Sequence, residues 1–130
     1  LIGKHETCFK YILNYLKERN QLIALGSASK NARPILEKTG TLAFFDAIVD
    51  GNDVSNAKPD PEVFLLAAKL LNTKPEDSIV FEDSVAGIQA ANIGGMISVG
   101  IGEATTLHEA NYLFKDFTQM DKTFIDNLIK

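Results

Sequence analysis

With 130 residues, 45% of them hydrophobic and 23% charged, and a formal net charge of −4, the chain has the size and balance of one globular unit. A disordered or fibrous protein is excluded. The acidic balance lacks the basic tract of a general nucleic-acid binder, and no apolar run nears the roughly 20 residues that cross a bilayer. Cys8 is the single cysteine, so no internal disulfide forms, and residues 1–130 are expected to make one soluble, cytoplasmic domain.

Phe9, Ile12, Leu13 and Leu16 recur at helical spacing and predict an amphipathic helix over about 5–19. Leu22 to Gly26 is a short apolar run of the kind that forms a buried parallel strand, which delivers Ser27 to its carboxyl end. A second helix is expected over about 30–39, with Pro34 in its first turn and Gly40 beyond its end. Asp46 to Val49 reads as the second strand, and Asp50-Gly51-Asn52-Asp53 as a turn. Pro61 suits a first helical position with Asp60 as its cap, opening a helix over about 61–72. Ser78 to Phe81 is the third strand, Ser84 to Ile93 a helix stopped by Gly94-Gly95, and Met96 to Val99 the fourth strand. Tyr112 to Phe114 is a short candidate fifth strand, and Phe117, Met120, Phe124 and Leu128 recur as the apolar side of a final helix. Strands alternating with helices indicate an α/β fold, a parallel sheet covered on both faces.

In such a sheet ligands bind at the carboxyl ends of the strands, so the polar residues there carry the functional information. Three clusters occupy those ends. Ser27, Ala28, Ser29, Lys30 and Asn31 combine hydroxyls, helix N-terminal N–H groups and an ammonium, the makings of a phosphate cradle. Capping by Ser29 and a solvated Lys30 is the plainer alternative. Lys58 precedes Pro59, which holds it on stiff backbone. It can neutralise a phosphoryl oxygen or stay solvated. Glu82 and Asp83 directly follow a buried strand and supply the paired carboxylates that suit Mg2+. Alternatively Asp83 caps the next helix and Glu82 is solvated. His5 and His108 have no partner at metal-ligand spacing, and Arg33 reads as a solvated charge within reach of a phosphate.

The order Ser27, Lys58, then Glu82-Asp83-Ser84-x-x-Gly87 resembles motifs of the haloacid-dehalogenase superfamily, with KPDPEVF and FEDSVAGIQAA as its specific strings over about 22–102. The string Ser27 to Asn31 is similar to the β-phosphoglucomutase branch. The resemblance implies a partial Rossmann-like core in which Ser27 and Lys58 are catalytic and hold the transferring phosphoryl group. It further implies that Glu82 and Asp83 serve Mg2+, and that Ser29, Lys30 and Asn31 grip the second phosphate of a bisphosphorylated sugar. The implied reaction interconverts β-glucose 1-phosphate and glucose 6-phosphate through an aspartyl-phosphate. A phosphatase of a small phosphorylated metabolite, or a non-catalytic module, are the competing readings.

The same resemblance calls for an Asp-x-Asp pair on a first, central strand and for a helical cap, and no two aspartates here are separated by a single residue. That strand would lie between the strand ending at Ser27 and the strand ending at Glu82. Without it, three outcomes are expected: the flanking strands close up and pair, another chain donates a strand or self-associates through the gap, or the fold is marginal. An open slot between residues 22–27 and 78–82 of a lone chain counts against this expectation.

Overall fold

The computed structural model describes residues 4–129, with side chains from Phe9 onward. The side chains of His5 and Cys8 therefore lie outside the described residues. Helix α1 (Lys4–Glu18) buries Ile12 and Leu13, as its apolar stripe requires. Strand β1 (Ala24–Gly26) and helix α2 (Ala32–Thr39) follow, and Gly40, at φ 72°, ends α2 in the left-handed conformation that glycine tolerates. Next come β2 (Ala47–Val49), α3 (Glu62–Leu70), β3 (Ile79–Glu82), α4 (Val85–Ile93), β4 (Ile97–Ile101), β5 (Tyr112–Phe114) and α5 (Lys122–Leu128).

At three boundaries the difference from the sequence reading has a capping reason. Helix α3 begins at Glu62, with Pro61 in the cap position, while the Asp60 carboxylate still accepts the Glu62 N–H at 2.9 Å. Helix α4 is capped by Ser84, whose Oγ accepts the Gly87 N–H at 3.0 Å, so Asp83 is not its cap. The expected final helix is broken into a 3-10 turn, Phe117–Gln119, and α5, because Asp121 caps α5 by accepting the Phe124 N–H at 2.8 Å. Its apolar residues nevertheless pack as expected, with Met120 and Ile125 buried beside Phe117, Phe124 and Leu128.

All strand pairs are parallel. β1 pairs with β2, Leu25 opposite Ile48, and β3, β4 and β5 form a second sheet in that order, with Phe81 opposite Val99. Strand alternation assigns the two faces. Val80 joins Val49, Val63, Phe64, Ala67 and Ala91 in a core under α3 and α4, whereas Ile79 and Phe81 face the opposite core with Ile12, Val99 and Ile125. Helices thus cover both faces, as the α/β reading requires. Among the described residues no helix is long and apolar enough to cross a membrane.

Of the three outcomes expected, closing up of the strands beside the gap does not occur. β1 and β3 belong to separate sheets, and a cavity of about 480 Å³ runs between them, lined by residues 22–26 on one side and 78–82 on the other. Each half is anchored independently of the other edge: β1 to β2, and β3 to β4. Phe64 stands against Gly26, where an added Cβ would meet its ring at 3.1 Å. Side chains of α1 and α3, including Leu13, Leu16 and Ala67, line the cavity as well, so closure would require displacing them.

The loop leading to β2 is tied back to α1 by Asp46, which pairs with Lys17 and accepts the Ile23 N–H at 2.8 Å. The Lys17 hydrogen bond, and then that of Ile23, hold the Asp46 carboxyl below its ordinary range. A carboxyl with a depressed folded-state pKa contributes its full stability above the ordinary value of about 4 and loses it as pH falls through the folded value. Urea unfolding should therefore show Asp46→Asn costing up to about 1 kcal/mol near neutral pH, since the pair is partly exposed. The difference from wild type should vanish in strong acid, and a difference that persists there would assign the loss to packing.

Candidate phosphate and metal site

The β1–α2 loop is built from serine turns. The Ser27 N–H continues the β1–β2 pairing by donating to Val49 O at 2.8 Å, Ser27 Oγ accepts the Ser29 N–H at 3.1 Å, and Ser29 Oγ accepts the Asn31 N–H at 3.1 Å. This loop is clipped to the one after β2. The Gly51 N–H donates to Ser29 O at 3.1 Å, and Asn52 Nδ2 donates to Lys30 O at 3.4 Å. The approach is so close that a Cβ on Gly51 would lie 2.5 Å from Ala28 O. Asp50, only 5% exposed, accepts the Asn52 N–H at 2.8 Å and pairs with Arg33 at 3.2 Å. Arg33 is exposed, as expected from sequence, and also braces Asp50 and Ile48 O.

Lys58 stands at the mouth of the slot. Its Nζ lies 2.9 Å from Glu82 Oε2, 3.4 Å from Gly26 O and 4.8 Å from the Phe64 ring centroid, linking the two sheets through one ammonium. The side chains of Lys58 and Glu82 are 16% and 11% exposed, so neither is the solvated charge that was the plainer alternative. The other Glu82 oxygen accepts the N–H groups of Asp83 at 3.1 Å and Ser84 at 3.3 Å, and the Ser84 hydroxyl at 3.1 Å. Glu82 thus folds back over the start of α4. Gly87 makes room for it, since a Cβ there would fall 2.1 Å from Glu82 Cδ. Burial pushes the Glu82 pKa up, but the Lys58 hydrogen bond and charge, with the Asp83 donors, outweigh it and hold the carboxyl below its usual range. Partial burial and the neighbouring Glu82 raise that of Asp83.

A pocket of about 160 Å³ opens between these loops, lined by Ser27, Ala28, Gly51, Ser55, Asn56, Ala57 and Lys58, and by Val54 and Val63. Of the residues singled out from sequence, Ser27, Ala28 and Lys58 come together here. Glu82 joins them through Lys58, and Asp83 lies exposed beside Glu82. Ser29, Lys30 and Asn31 are exposed at the start of α2, outside the pocket lining.

Among the described residues no group of three or more His, Cys, Asp or Glu side chains is placed to hold a metal ion. The donor chemistry still fits Mg2+, which takes one or two carboxylates and completes its shell with water and phosphate oxygens. Asp83 is the exposed carboxylate of the pair, and Glu82 is the one already engaged. Asp50, Glu62, Ser55 and Asn56 escaped the sequence reading. Glu62 alone left a signal, an acid in the first turn of the helix that follows Lys58.

A doubly covered parallel α/β fold with serine, lysine and adjacent carboxylates at its strand ends is the core of a haloacid dehalogenase-like protein. Residues 9–95 match the family described as haloacid dehalogenase-like hydrolase, and the chain belongs to it. Within that family of enzymes it is β-phosphoglucomutase-like. It is 37% identical over 109 residues to β-phosphoglucomutase of Bacillus subtilis, an alignment covering 84% of this chain and 48% of that protein. The crystal structure of β-phosphoglucomutase from Clostridium difficile superposes with a TM-score of 0.89 at 39% identity, covering 93% of this chain and 54% of that one. Validoxylamine A 7'-phosphate phosphatase of Streptomyces hygroscopicus subsp. limoneus is 41% identical over 92 residues, 68% of this chain and 43% of that protein. The chain spans about half the length of the relatives it matches.

Proposed function

We propose that this chain is the phosphate- and metal-handling part of a magnesium-dependent phosphoryl-transfer enzyme acting on a small sugar phosphate in the cytoplasm, with conversion of β-glucose 1-phosphate to glucose 6-phosphate as its reaction. The observation that carries the proposal is the pocket where Ser27, Ala28 and Lys58 converge, with Lys58 also paired to Glu82. Phosphoryl transfer asks the protein chiefly for positioning and charge neutralisation, and these residue types meet that demand. In this reading Ser27 donates its hydroxyl to the phosphoryl group and the Lys58 ammonium balances its charge. Glu82 keeps Lys58 oriented toward it. Asp83, with Glu82, would hold Mg2+, which when bound spreads the negative charge of the transferring group. Ser29, Lys30 and Asn31, which are exposed at the start of α2, would grip the second phosphate of a bisphosphorylated sugar.

A nucleophile must come from outside these 130 residues. The slot between β1 and β3 is where we place it, on a strand contributed by a longer form of the protein or by another chain. Without that strand, the two free edges offer a route to self-association. Until it is supplied, the chain acts as a binding module and not as an enzyme.

The phosphatase reading is favoured by the similarity to validoxylamine A 7'-phosphate phosphatase, which is of the same order as that to β-phosphoglucomutase. Product analysis separates the two. A form of the protein completed with both the nucleophile strand and the helical cap, given β-glucose 1-phosphate and a bisphosphate primer, is expected to yield glucose 6-phosphate without free phosphate. Stoichiometric release of inorganic phosphate would instead assign a phosphatase.

A further inference from the structure

The loop carrying Ser55, Asn56 and Ala57 forms one wall of the phosphate pocket, and its hydrogen bonds converge on a residue outside the pocket lining. One carboxylate receives them. Glu62, in the first turn of α3, accepts the Ser55 N–H at 3.0 Å, the Asn56 N–H at 2.9 Å and the Asn56 side-chain amide at 3.2 Å. The Ser55 N–H also reaches its second oxygen at 3.2 Å. Glu62 is itself fixed, because its own N–H donates to the Asp60 carboxylate at 2.9 Å while the Asp60 N–H donates to Ala57 O at 3.0 Å. Lys58 lies inside this ring of hydrogen bonds.

We infer that Glu62 is a positioning residue for the phosphate pocket, setting the Ser55–Ala57 wall and, through it, the placement of Lys58. The inference rests on reading the pocket as a phosphate site. Two consecutive backbone N–H groups facing one side have no other acceptor among the described residues, and a carboxylate receiving them makes charge-assisted bonds stronger than neutral ones. Those donors, Ser55 first and then Asn56, hold the Glu62 carboxyl below its ordinary range, in keeping with an ionised clamp. Losing it frees the wall, and a pocket that must be ordered by its ligand binds that ligand more weakly.

The test titrates inorganic phosphate into the 130-residue chain and follows backbone amides by NMR. Glu62→Ala is expected to raise the phosphate dissociation constant about tenfold. It should also speed hydrogen exchange at Ser55 and Asn56 while leaving Val80 and Val99 in the strands unchanged. Glu62→Gln, whose amide oxygen still accepts an N–H, should recover most of the affinity, whereas Glu62→Asp, one methylene shorter, should lose about threefold even though the charge is kept. If Glu62→Ala fails to fold, the contrast between the Gln and Asp variants carries the decision. Wild-type affinity in both Ala and Asp variants would overturn the inference and leave the phosphate site standing. Weakened binding with equal acceleration at Val80 and Val99 would overturn it too, as general destabilisation. A wild-type chain that takes up no phosphate would sink the site and the inference together.

Discussion

Replacing Lys58 by methionine is expected to cost about 3 kcal/mol of unfolding free energy, because it strands a buried carboxylate. Glu82 is 11% exposed, and Lys58 is the one ammonium against it among the described residues. The carboxylate would keep its three donors at the start of α4, but lose its counter-charge and the link across the mouth of the slot. The cost belongs to the unpaired charge more than to the bond, so a double-mutant cycle separates the two. In Lys58→Met/Glu82→Gln the charge is removed along with its partner, and most of the loss should be recovered, to within about 1 kcal/mol of wild type. Chemical denaturation of the four proteins provides the measurement. Additive losses would mean that the two side chains act separately. The double variant should remain unable to bind phosphate whatever its stability, which divides the structural part of Lys58 from its part in binding.

Much of this arrangement can be read from residue order, because parallel α/β folds place strand-end residues predictably. Leu22 to Gly26, too short and apolar for a helix, points to β1 and puts Ser27 at its end; Phe81 before Glu82 does the same for the carboxylate pair. The contacts between loops leave no such trace. Arg33 is exposed as its sequence suggests, but its pairing with Asp50 on a different loop is not legible, because sequence spacing carries no information about which loops touch. The break before α5 is hidden for another reason. Phe117, Met120, Phe124 and Leu128 all face the core as a continuous helix would have them, so periodicity cannot reveal that Asp121 restarts the chain. Closing up of β1 and β3, one of the three outcomes expected, is favoured by the cost of unpaired strand edges, which is legible in the sequence. The bulk of Phe64 and of the α1 side chains, which sit where closure would occur, counts against closure and comes from residues distant in sequence.

The open slot leads to the second large effect. Two parallel edges, one on each side of a cavity of about 480 Å³, offer a new strand backbone partners on both sides and apolar cover above and below. An inserted strand needs about 4.8 Å on each side to pair with both edges. An apolar strand joined to the chain by a flexible linker gains an effective concentration in the millimolar range and binds only the folded state. Unfolding free energy should rise by about 3 kcal/mol or more, with slowed amide exchange along residues 22–26 and 78–82. A strand with charged residues in place of its apolar ones should give neither change.

The decisive measurement asks whether such a strand, ending in Asp-x-Asp, turns the Ser27–Lys58 pocket into a phosphoryl acceptor. The completed protein, supplied with Mg2+ and a low-molecular-weight acyl-phosphate donor, should form about one acid-stable, hydroxylamine-sensitive acyl-phosphate per chain. The same strand with its first aspartate changed to asparagine should form none, and neither should the 130-residue chain alone. Labelling of the chain without any added strand, or no labelling of a completed protein whose stability has risen, would contradict the account.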